Sequence, residues 1–153
     1  MLDVLRGVDY LETRPEVQRE RIAVVGHGSG ALLALYAAAL DSRIRSAACT
    51  RMLRSYAEIL DSELYAHRFS NFPPGVLRSF DLPDVAALVA PRPLLLLNVV
   101  NQKQQRVSPT EVAGRYKPAE AVYKLLGAAG QLSIAQADSV AEVMQEHSKF
   151  LAK

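Results

Sequence analysis

The chain has 153 residues, half of them hydrophobic and 22% charged, with a formal net charge of +2. That length supports one domain with a real core, and the near-neutral balance gives no electrostatic basis for nucleic acid or an anionic membrane as partner. The single cysteine, Cys49, excludes an intramolecular disulfide and a multi-cysteine zinc site, and its apolar setting in IRSAACT reads as a buried structural thiol.

The first predicted element is a helix over 2–13, where Leu2, Leu5, Val8 and Leu11 recur every third residue. Arg14-Pro15 ends it, because the residue before proline avoids helical backbone. This N-terminal stretch lacks the unbroken apolar core of a signal peptide. No run is long and apolar enough to span a bilayer, so the expected location is cytoplasmic. Residues 21–26, RIAVVG, read as a strand buried on both faces, as in a parallel sheet. Residues 29–40 read as a helix apolar nearly all round, and therefore central.

Asp41-Ser42 makes a turn, and 44–49 read as a second short buried strand. Residues 51–82 are irregular, with helical content in SYAEILDSELYAHRF and a break at NFPPG. A short helix is expected over 84–89, before Pro91 and Pro93. PLLLLNVV is the strongest strand signal in the chain. Residues 110–127 fit a helix interrupted or started late by Pro118, and QLSIAQ is a weak strand. Ser139 with Glu142 three residues on is a capping box opening a last helix to about Ala152. The alternation predicts an α/β three-layer sandwich around a small parallel sheet of about four strands.

The chemistry-bearing stretch is RIAVVGHGSGALLAL, a glycine-dense turn between strand and helix. It has the form of a nucleophile elbow, G-x-S-x-G, but counted from Gly26 to Gly30 the central position is Gly28. Ser29 comes one place late and reads as a helix N-cap or first-turn serine, or as a displaced nucleophile if a base lies within reach. His27 reads as packing beside the turn, His67 as a loop histidine over it, and His147 as an exposed or rim residue. The three histidines have no metal-ligand spacing, and no cofactor is implied. Glycines before a helix offer an anion site, yet the P-loop lysine is missing.

Three segments carry a resemblance: DVLRGVDYLETRPEV, RIAVVGHGSGALLALYAAALDSRIRSAAC and FPPGVLRSFDLPDVAALVAPRPLLLLN. Together they resemble the C-terminal half of an α/β-hydrolase, in the branch of acetyl-xylan-esterase-like and dienelactone-hydrolase-like proteins. The resemblance implies a nucleophile at Gly28, an acid in the turn VVNQKQQRVSP near Asn101, Gln102 or Gln105, and a histidine within AQADSVAEV. None of those positions holds the required side chain. Glu111 is the nearest acid to that turn, and it belongs to the following helix.

The expectation is therefore a single truncated hydrolase-like domain over 1–153 without a recognisable triad: a non-catalytic relic, binding or assembly module. Gly26, His27, Gly28, Ser29, Gly30 and His67 would form a vestigial pocket. The alternative is a carboxylesterase-like or acetylesterase-like hydrolase using Ser29, or residues completed by a partner chain. An apolar edge strand at IAVV predicts a homodimer or a partner chain on that edge or on the nearby apolar surface.

Overall fold

A computed structural model describes residues 2–152. The elements are α1 (Leu2–Glu12), β1 (Ala23–His27), α2 (Ser29–Leu40), β2 (Ser46–Thr50), α3 (Ala57–Leu60), α4 (Leu82–Ala87), β3 (Leu94–Leu97), α5 (Pro109–Leu125), β4 (Leu132–Ala135) and α6 (Val140–Leu151). The four strands form one parallel sheet in the order β1-β2-β3-β4. The register sets His27 beside Thr50, Thr50 beside Leu97, and Leu97 beside Ala135. The strands therefore end together, on the edge where open α/β sheets bind ligands.

The two faces of the sheet are covered unequally. Val24, Ala47, Cys49, Leu94 and Leu96 face the main core, against α2, α4, α5 and Val8 of α1. Ala48, Leu95 and Leu97 face the other way, against Val143 and Phe150 of α6 and the nearby Ala137. In that register β1 turns Ala23, Val25 and His27 to the α6 face, where α6 covers the other strands. Val25 is 48% exposed. β1 is an edge strand, as expected, but the face expected to be buried on the α6 side is open to water.

Cys49 is fully buried, and burial pushes its thiol up to about 12, which keeps it protonated and inert. The helix α2 is apolar all round but only partly central: Leu32 and Leu35 are buried, while Leu33 is 43% and Leu40 67% exposed. Helix α5 runs through Pro118 without interruption. An interior proline costs about 3 kcal/mol of helix stability, and burial of Tyr116, Ala119 and Tyr123 on the core side offsets it. Capping boxes at Ser108/Glu111 and Ser139/Glu142 fix the starts of α5 and α6. A third, at Asp81/Asp84, starts α4.

The surface ties are local. Arg43 links the acidic side of α1, at Asp9 and Glu12, to Asp41 after α2, with contacts of 2.6–2.9 Å. Arg92 donates to the carbonyls of Ala38, Asp41 and Ile44, closing the turn between α2 and β2.

Candidate functional site

The turn between β1 and α2 is held by three constraints. First, β1 and α2 approach so closely that a Cβ on Gly26 would stand 2.2 Å from the Gly30 carbonyl oxygen and 2.7 Å from the Ala31 Cα. Only glycine fits there. Second, Gly28 caps α2 with φ 58° and ψ −121°, a backbone region that costs residues with a side chain about 1–3 kcal/mol. Third, the Gly28 N–H donates to the Thr50 carbonyl at 2.9 Å, pinning the turn to the next strand. Space around Gly28 is open, with nothing within 4 Å of an added Cβ.

Ser29 begins α2 and is exposed. Among the described residues its hydroxyl makes no hydrogen bond to a histidine. Two of the three imidazoles are committed elsewhere. His67 donates from Nε2 to the Asn101 carbonyl at 2.9 Å. His147 Nε2 and Thr50 Oγ1 share a hydrogen bond of 2.8 Å. His147, expected exposed or at the rim, is half-buried and ties α6 to the end of β2. His27 does not pack away beside the turn as expected; it is exposed and faces two cavities.

One cavity, of about 140 Å³, lies over the elbow and is lined by His27, Gly28, Ser29, Arg51, His67, Arg68, Asn71, Val100 and Gln104. It brings together four of the six residues singled out from the sequence. Gly26 lies beneath the turn as a packing residue, and Gly30 lies inside the helix start. Two guanidinium groups, Arg51 and Arg68, belong to the lining, and no carboxylate among the described residues takes part. The second cavity, about 540 Å³, runs over the strand ends between His27, Thr50, Asn98, Arg106, Asp138 and Val143.

The loops after β3 and β4 are joined by polar contacts. Asn98 is buried; its Nδ2 donates to the Ala137 carbonyl and its Oδ1 accepts from the Ala137 N–H, both at 2.9 Å. Arg106 donates to the same carbonyl at 3.0 Å and pairs with Asp138 at 2.7 Å. Asn101 folds its own loop by accepting from the Lys103 and Gln105 N–H groups. Thus the segment where the resemblance places an acid contributes amides and a guanidinium, and the segment where it places a histidine contributes Asp138.

Three residues other than glycine have positive φ among those described: Arg51, Asn98 and Gln104. All three line the two cavities. Such backbone persists where surrounding contacts over-determine it, and it gathers at sites. Arg51 is the first residue past β2, held by its N–H on the Leu97 carbonyl at 2.9 Å. Arg51, Arg68, Asn71 and Gln104 escaped the sequence reading. The available signal was positional for Arg51, which directly follows a strand on the ligand-binding edge. For Arg68 and Asn71 there was none, because their loop has no periodicity.

Among the described residues, no group of three or more His, Cys, Asp or Glu could hold a metal ion. No helix there is long and apolar enough to cross a membrane.

Comparison with known proteins places this geometry. No protein-family model matches the chain. A Bacillus subtilis (strain 168) protein named "Putative hydrolase YtaP" is 32% identical over 158 residues, covering 99% of this chain and 52% of that protein. A glucuronoyl esterase of carbohydrate esterase family 15 from Teredinibacter turnerae T7901 superposes with a TM-score of 0.74 at 22% identity, over 99% of this chain and 44% of the esterase. A family 15 glucuronoyl esterase from Caldicellulosiruptor kristjansonii gives 0.71 at 21% identity, over 98% and 48%. The chain spans about half the length of the curated relative it matches. It has the fold of the C-terminal half of an α/β-hydrolase, as the sequence resemblance implied.

Proposed function

We propose that this α/β-hydrolase-like chain is a binding module that its own residues do not make catalytic. The supporting observation is Gly28, which occupies the centre of a well-formed elbow in the φ/ψ region expected of a nucleophile yet has no side chain to attack with. Acyl transfer by a hydroxyl needs a base in hydrogen-bond reach and an orienter for that base. Ser29 has neither among the described residues. His67 donates to a backbone carbonyl, and Arg106 and Asp138 pair with each other.

The test is turnover of p-nitrophenyl acetate. The protein should show no rate above that of the Ser29→Ala variant, and Gly28→Ser alone should restore none, because neither the His67 nor the His147 imidazole lies within 4 Å of a Cβ added at Gly28. A rate that disappears with Ser29→Ala establishes the alternative, an ester hydrolase acting through Ser29 at the cavity it shares with His27 and His67.

The same reading includes self-association. The outer edge of β1 offers unpaired backbone groups beside the half-exposed Val25, and two such edges pair in a two-fold arrangement. Light scattering after size exclusion at micromolar concentration should give twice the mass of one chain. A monomer at that concentration overturns this part.

A further inference from the structure

The cationic cavity over the elbow is not isolated. Along the exposed side of α2 runs a groove of about 510 Å³ lined by Leu32, Leu33, Tyr36, Leu40, Tyr56 and Pro73, with Ser29, Ser70 and Asn71 at one end. Ser29 and Asn71 line both spaces. Leu32, Leu33, Tyr36 and Leu40 follow one another at helical spacing, so they form a stripe along the helix. Its floor is apolar in effect: the Tyr36 and Tyr56 hydroxyls meet each other at 3.3 Å, and burial raises the pKa of both. Among the described residues, no carboxylate lines the groove or the cavity.

From this continuity we propose that the chain binds a medium-chain carboxylate, with the head group between Arg51 and Arg68 and the alkyl chain along α2. This rests on the binding-module reading above and names its ligand class. A carboxylate matches the head cavity for two reasons. Its walls carry guanidinium groups, which pair with carboxylates through parallel N–H donors. They also carry no negative group that would oppose it. Arg68 makes no side-chain hydrogen bond or ion pair among the described residues, and Arg51 makes one contact, 3.2 Å to the Gln104 carbonyl. The groove explains why Leu33 and Leu40 stand exposed on a helix whose composition suits a core: an alkyl chain laid there covers apolar surface that water otherwise covers.

The head and the tail can be tested separately by calorimetric titration with octanoate, acetate and octan-1-ol. Octanoate should bind at least tenfold more tightly than either of the other two. The double variant Arg51→Gln/Arg68→Gln should lower octanoate affinity tenfold or more and leave octan-1-ol unchanged. Leu33→Asp, on an exposed position, should also lower it, with far-ultraviolet dichroism confirming that each variant folds. Equal affinity for octanoate and octan-1-ol overturns the head assignment. Equal affinity for octanoate and acetate overturns the tail, and no saturable octanoate binding overturns both. The two readings fail separately: turnover of p-nitrophenyl octanoate abolished by Ser29→Ala defeats the non-catalytic reading, while saturable octanoate binding by the unaltered protein, lost in Arg51→Gln/Arg68→Gln, upholds the carboxylate site whether or not that turnover occurs.

Discussion

The elbow and the loops after β3 and β4 face one another across the strand ends, and they are held by different forces. The elbow keeps its backbone: the close approach at Gly26, the positive φ at Gly28 and the hydrogen bond from Gly28 to β2. At its centre stands Gly28, which presents no side chain. The two loops keep polar side chains, but these are turned on each other, through Asn98, Arg106, Ala137 and Asp138. A turn fixed by steric exclusion depends on strand–helix packing and not on the side chain at its centre. A loop held by hydrogen bonds can be rewired while remaining satisfied.

The steric half of this comparison gives the largest expected effect. Gly26→Ala puts a methyl group into contact with backbone at 2.2–2.7 Å, and backbone cannot swing aside as a flexible side chain would. The variant should lose about 3 kcal/mol of stability, measured by urea denaturation. A loss under about 1 kcal/mol would mean that the elbow is not held by close packing.

This division also explains what the sequence revealed. The order of elements, the parallel sheet and the elbow were legible, because glycine spacing and apolar runs are local signals of long-range packing. Helix α2 fell on its expected residues, 29–40, and the capping box at Ser139 and Glu142 formed as read. The open face of β1 was not legible: AVV is as apolar as a buried strand, and only the position of α6 over the other three strands exposes Val25. Helix α5 ran past Pro118 because Tyr116 and Tyr123, distant in the sequence from what they pack on, outweigh a local cost. The contact between Thr50 and His147 spans 97 positions and had no local trace.

Next in size comes Asn98→Ala. The side chain is buried, serves Ala137 with a donor and an acceptor, and sits on a residue with φ 51°. Asparagine tolerates that backbone better than alanine, and the buried Ala137 N–H loses its partner. Together these should cost about 2 kcal/mol. Gly28→Ser should cost about 1–2 kcal/mol from backbone conformation alone, since the space around it is open. The Gly28→Ser loss should therefore stay below that of Gly26→Ala, although both replace a glycine in the same turn. The reverse order would show that φ, not packing, holds the elbow.

The smallest single effect belongs to Arg106→Ala, and it carries the sharpest test of the join between the two loops. Its ion pair with Asp138 is exposed, with Asp138 at 79%, so the Coulomb part should be worth about 0.5 kcal/mol or less. The Ala137 carbonyl, however, accepts from both Arg106 and Asn98. Remove either donor and the other still satisfies it. Remove both and that carbonyl is left without a protein partner in the loop. The double variant Asn98→Ala/Arg106→Ala should therefore lose more stability than the two single losses added together, by about 0.5–1 kcal/mol. Strict additivity in urea denaturation would show that the two loops are held independently, and that no shared acceptor has taken over the join between them.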